Sequence, residues 1–219
     1  MYLSFPSLIR LGWVLLLTGS MLSAAAQDTK ATNVLNASKS KLESLGDFAA
    51  TVKYTVDNPA SAQKAPSKTG KLKYKRGMYV LMLDDQEIYC NKITQWVYLK
   101  KDKEVNITAY DPREAVSLES VFTIYKANGK PRYEGAETLH GVACHKVYIA
   151  LADPKVEYNQ ARLWINQQTN LLEKITLTDR RQTSTTYEFF EVRTNQGLGD
   201  GDFSFNPAKV PGLKVYDER

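Results

Sequence analysis

The chain has 219 residues, 43% hydrophobic and 24% charged, with a formal net charge of +5. This is an ordinary globular composition in a chain long enough for one domain with a substantial core, and it excludes a disordered chain. Twelve Gly and eight Pro exclude collagen-like and Pro/Gly-rich classes.

Residues 1–26, MYLSFPSLIRLGWVLLLTGSMLSAAA, read as a secretory signal peptide. Arg10 is their only charge, and Leu11 to Leu22 is an apolar run of about a dozen residues, short for a bilayer span. Ala24-Ala25-Ala26 supplies small residues for cleavage before Gln27. An uncleaved anchor is the alternative. The expected organisation is a cleaved signal peptide, 1–26, and one soluble exported domain, 27–219. No Cys lies near the cleavage site, so N-terminal acylation is not expected.

Asp28 is a candidate cap for a first helix. Ala31, Val34, Leu35, Ser38, Leu42 and Leu45 form one small or apolar stripe at helical spacing, and Gly46 ends it. From Asp47 the period changes to two. Phe48, Ala50, Val52, Tyr54 and Val56 alternate with more polar residues, the mark of a half-buried strand. Residues 58–69 are polar, hold two prolines and read as a loop. In Gly70–Arg76, Leu72 and Tyr74 face one way and Lys71, Lys73 and Lys75 the other. By the same parity Arg76 falls on the apolar face at the strand's end, where its donors need partners; alternatively the strand ends first and Arg76 turns to solvent.

Gly77 marks a turn, and Met78–Leu83, which includes Tyr79, returns as a strand apolar on both faces. Gln86–Cys90, Thr94–Lys100 and Glu104–Tyr110 follow. Asp111-Pro112-Arg113-Glu114 has a cap residue, Pro at the first helical position and Glu at the third. It predicts a second helix with Leu118, Val121, Phe122 and Tyr125 as its apolar stripe. Five more strands are expected at Pro131–Thr138, Val142–Leu151, Ala161–Asn166, Leu171–Thr178 and Thr185–Arg193, and Gly212–Asp217 is a final extended segment. About eleven strands at hairpin spacing predict a curved antiparallel sheet or incomplete barrel, its concave face covered by two amphipathic helices. A sandwich or closed barrel with external helices is the alternative.

Catalytic signals are sparse. The sequence has no nucleophile-elbow or phosphate-binding glycine motif. His140 and His145 flank Cys144, but Cys144 and His145 are neighbours on a strand and point to opposite faces, and a metal would need further ligands. No enzyme activity, metal or cofactor is expected. Cys90 and Cys144 are the only cysteines. In an oxidising compartment they either form a disulfide, which would stabilise by about 4 kcal/mol, or remain two buried thiols. The lysines from Lys64 to Lys75 read as a solvated face, and no nucleic-acid partner is expected.

Read in order, the pieces resemble the LolA family of periplasmic lipoprotein carriers. The resemblance runs from the first helix and Asp47-Phe48-Ala49-Ala50-Thr51-Val52 through Gly70-Lys71-Leu72-Lys73-Tyr74-Lys75-Arg76 and Ile88–Tyr98, with Trp96 and Tyr98. It ends with Asp202-Phe203-Ser204-Phe205-Asn206-Pro207 and Val215–Arg219. Gly77 stands where the family usually has Pro. The resemblance implies an eleven-stranded half-barrel whose helices lid an apolar cavity. It implies a periplasmic chaperone that takes lipoproteins by their acyl chains from an inner-membrane ATP-driven release complex to an outer-membrane lipoprotein receptor. The expected lipid-binding and lid residues are Leu72, Tyr74, Tyr79, Trp96, Tyr98, Leu118, Val121, Phe122 and Tyr125. Arg76 occupies the family's lid-contacting position. A monomer is expected. A lipid-sensing or scaffold domain of the same fold is the alternative function.

Overall fold

The computed structural model describes residues 19–61, 66–111, 129–151 and 157–219, with side chains from residue 28 onward. Among the described residues one α-helix, α1 (Gly19–Ser44), precedes twelve strands. These are β1 (Phe48–Asp57), β2 (Lys68–Lys75), β3 (Met78–Met82), β4 (Gln86–Cys90), β5 (Thr94–Leu99) and β6 (Glu104–Ala109), then β7 (Gly129–Leu139), β8 (Val142–Leu151), β9 (Tyr158–Asn166), β10 (Leu172–Asp179), β11 (Ser184–Thr194) and β12 (Lys214–Asp217). All twelve form one open sheet in the order β12-β6-β5-β4-β3-β2-β1-β11-β10-β9-β8-β7. It is an incomplete barrel with a helix, as the alternation of the sequence predicts. The second expected helix, with Leu118, Val121, Phe122 and Tyr125, lies outside the described residues.

Two elements depart from the sequence reading. First, α1 begins at Gly19, so Asp28 is an interior residue whose carbonyl accepts a bond from the Thr32 hydroxyl at 2.9 Å. Ala24, Ala25 and Ala26 are strong helix formers and carry the helix through the position read as a cap. Second, the extended C-terminal segment joins the sheet as β12, parallel to β6, whereas every other strand pairing is antiparallel. Residues 195–213 carry the chain from β11, inside the sheet, to the edge beside β6.

The stripe of α1 does what its spacing predicts. Ala31, Val34, Leu35, Ser38 and Leu45 are buried, and the apolar members pack with Val147, Ile149, Leu163 and Phe189 of the sheet. The face under α1 is called inner here. Strand registers extend it across the molecule: Phe48, Tyr74, Tyr79, Cys90, Gln95 and Thr108 lie in one cross-strand row, and Ala50, Leu72, Leu81, Ile88, Val97 and Asn106 in the next. β2 and β3 approach so closely at Gly70 that a Cβ there would collide with the Met82 carbonyl oxygen and the Leu83 side chain.

The outer face of β4–β6 is covered by the C-terminal segment. Phe203 is fully buried, and Phe205 lies 5.1 Å from the Tyr98 ring and 5.6 Å from that of Tyr89, over Val105 and Ile107. Buried Asp47 pins the start of this segment. Its carboxylate accepts the backbone N–H groups of Gln196 and Leu198, the latter at 2.9 Å, and Lys75 bonds the Leu198 carbonyl at 2.7 Å and Asp200 at 2.8 Å.

Candidate functional site

The candidate site is the inner face of the sheet. Leu72 and Tyr74 are buried there, and the Tyr74 ring stacks on Phe48 at 5.0 Å. Tyr79 stands beside them and donates its hydroxyl to Gln95 Oε1 at 3.0 Å. Burial, with the Cys90 thiol and the Tyr110 and Tyr187 phenols nearby, pushes the Tyr79 pKa far above its ordinary value. These three predicted residues therefore gather. Trp96 and Tyr98 do not. They pair with Ile107 and Val105 and pack against the C-terminal segment on the outer face. The run Trp96-Val97-Tyr98-Leu99 is apolar at every position, so alternation alone could not choose its faces. The register gives the inner face to Gln95, Val97 and Leu99 instead.

The same registers place Leu81 and Ile88 on the inner face, half-buried like Val97 and Leu99. The sequence signal for Leu81 was its cross-strand partnership with Leu72, visible only once the hairpin turn is fixed. Under α1 the face is filled. The cleft between Ser38, Leu42, Phe48, Leu171, Leu172 and Phe189 holds about 30 Å³, room for about one water. On β3–β5 the four aliphatic side chains are the less covered part of the same apolar surface.

Arg76 is exposed in the β2–β3 turn, outside the strand, and so does not share the face of Leu72 and Tyr74. The strand ends at Lys75 because Arg76 and Gly77 both have positive φ, 46° and 86°, as in a type I′ hairpin turn. The Arg76 charge helps to hold the Asp200 carboxyl below its usual range, after the larger effect of Lys75.

Cys90 and Cys144 are free, buried thiols. Six strands separate β4 from β8, and the registers put Cys90 on the inner face and Cys144 on the outer one, so the disulfide reading is corrected. Burial raises both thiol pKa values, that of Cys144 to about 11. His145 points inward, opposite to Cys144. Its Nδ1 lies 3.0 Å from the Tyr133 hydroxyl, and the Lys30 ammonium of α1 sits 4.1 Å above the Tyr133 ring. Burial and Lys30 together lower the His145 pKa. Among the described residues no three His, Cys, Asp or Glu side chains gather as metal ligands. This arrangement offers an apolar surface.

A family model described as outer membrane lipoprotein carrier protein LolA matches residues 57–206. The chain belongs to the LolA family. Among solved structures, an uncharacterized conserved protein from Thermus thermophilus is similar with a TM-score of 0.59 at 11% identity, covering 86% of this chain and 99% of that one. A putative outer membrane lipoprotein-sorting protein domain from Vibrio parahaemolyticus has a TM-score of 0.48 at 16% identity, over 81% of this chain and 97% of the other. Mycobacterium tuberculosis lipoprotein LppX has 0.49 at 12%, over 78% and 98%. No curated protein matches the chain. At these identities the structural likeness speaks to the LolA fold alone. No described helix is long and apolar enough to cross a membrane.

Proposed function

We propose that this LolA-family protein is a periplasmic carrier that binds lipoprotein acyl chains on its inner face. It takes them from an inner-membrane ATP-driven release complex and gives them to an outer-membrane lipoprotein receptor. Residues 1–26 direct export and are removed. The observation that carries this reading is the largely apolar inner face of an open twelve-stranded sheet, aliphatic and only half-covered at Leu81, Ile88, Val97 and Leu99, with Asn106 and Thr108 at its β6 end. Acyl chains need surface without unpaired polar groups, and the ladder satisfies the backbone there.

The second cover in this proposal is the apolar stripe that the sequence predicts at Leu118, Val121, Phe122 and Tyr125, which lies outside the described residues. Arg76, exposed in the β2–β3 turn, is proposed to bond that cover when it closes. Arg76→Leu removes charge-assisted bonds worth about 1.5–3 kcal/mol from the closed state alone. The variant is expected to load lipoprotein at least as well as the parent and to release it poorly.

A transfer assay with purified components tests the proposal. The parent chain should take a lipoprotein from inner-membrane vesicles on ATP addition and pass it to the receptor. Loading without any delivery would identify a lipid-sensing or scaffold domain instead.

A further inference from the structure

The two edges of the sheet differ in whether their backbone can accept another strand. β7 carries Pro131, which lacks an N–H, a bulge at Gly135 with φ of 112°, and the charges Lys130, Arg132, Glu134 and Glu137. These are the usual devices against edge-to-edge pairing. β12 is also guarded, by its length of four residues and by Lys214 and Asp217, but it has neither proline nor bulge and exposes Val215 and Tyr216 to 50% and 48%. Lys214 donates its N–H to the Lys103 carbonyl at 2.8 Å, and Glu218 donates to Ile107 at 2.9 Å. In a parallel pair the residues that bond the neighbour alternate. Lys214, Tyr216 and Glu218 therefore turn their backbone groups to β6, and Val215 and Asp217 turn theirs outward. Among the described residues no strand lies beyond them.

We propose that β12 pairs antiparallel with β12 of a second copy of this chain, about a two-fold axis that passes between their Tyr216 residues. In this register Val215 and Asp217 each face the other's counterpart, and their outward N–H and C=O groups form four inter-strand bonds. Lys214 faces Glu218 of the second copy, twice by symmetry, and the two Tyr216 rings meet at the axis. A register centred on Val215 would set Lys214 against a tyrosine and leave Glu218 without its opposite charge. The self-complementary pattern lysine, tyrosine, glutamate along one side of the strand selects the first register. So short a strand buries far less than the roughly 1,000 Å² of a stable interface. The pair is therefore weak and dynamic, and the chain is monomeric when dilute. This inference does not depend on the lipid-carrier reading.

Cysteine cross-linking of the concentrated mature chain tests it, with the parent as control because Cys90 and Cys144 are buried. Non-hydrogen-bonded antiparallel partners have Cβ atoms about 4.5–5.5 Å apart, within reach of a disulfide after small adjustment. Under oxidation Tyr216→Cys should yield covalent dimer, and Val215→Cys, whose opposite is Asp217, much less. In the Tyr216→Cys background, Glu218→Lys should slow cross-linking about three- to tenfold, and adding Lys214→Glu should restore it. Cross-linking at Tyr216→Cys no faster than at Val215→Cys, or no faster than in the parent, overturns the pairing. Failure of the charge exchange to restore the rate overturns the register.

Discussion

Arg76 occupies a left-handed backbone position with its side chain in solvent, so its cost to folding and its proposed value to release can be separated. Arg76→Gly should stabilise the protein by about 1 kcal/mol by relieving the left-handed strain, measured by urea unfolding. Its delivery to a receptor should fall as in Arg76→Leu. A stability loss would mean that the side chain contributes more through neighbours such as Asp200 than the turn costs. The cysteines give a second test at this scale. In the folded protein neither thiol should react with a thiol reagent, because each is buried and its pKa is raised. After unfolding without reductant both should react; if neither does, they are bridged. Residue-level reading of the sequence succeeded where one face was polar, as in Leu72 and Tyr74 against Lys71 and Lys73. It misplaced Trp96 and Tyr98 because no polar alternation marks that strand, and Phe205, far away in sequence, supplies the cover that makes an outer aromatic face tolerable.

At the scale of elements, the C-terminal segment and α1 cover opposite faces and should respond to different perturbations. Phe205→Ala removes the ring wedged against Tyr89 and Tyr98 and should cost about 3–5 kcal/mol of stability. Lipoprotein loading per folded molecule should not change, because that ring lies away from the inner face. A loading defect in the folded fraction would place Trp96 and Tyr98 back among the ligand contacts. The docking of α1 carries a pH dependence through His145. Burial and Lys30 depress its folded pKa below the ordinary value of 6.5, so between the two values the unfolded chain binds more protons. Stability is then fully present above about pH 6.5, falls as pH drops below it, and levels off under the depressed folded value. Thermal unfolding from pH 7.5 to 5 should show this slope, and His145→Gln should flatten it. An unchanged slope in the variant would assign the effect elsewhere. The strand count and the buried stripe of α1 were legible because periodicity is local. The early start of α1 and the parallel docking of β12 were not: the first overrode a cap signal, and the second depends on a pairing more than a hundred residues apart in sequence.

For the whole molecule, the proposed carrier function meets an energetic limit. Three fully buried 16-carbon chains at about 0.8 kcal/mol per CH₂ would gain about 36 kcal/mol. Non-covalent affinities saturate near about 20 kcal/mol, and a carrier bound that tightly would never deliver. A carrier must therefore bury such chains only in part, or offset the gain by the work of uncovering its apolar surface. The open sheet permits such movement without breaking a closed barrel. The central claim is that the occupant is the lipid of a lipoprotein, and the most direct measurement is mass spectrometry of what copurifies with the mature chain from its native periplasm. Acylated lipoproteins should be recovered with the parent and less with Leu81→Asp, a charge on the half-covered inner face. Recovery of no acylated protein with the folded parent, or of equal amounts with both chains, would contradict the account.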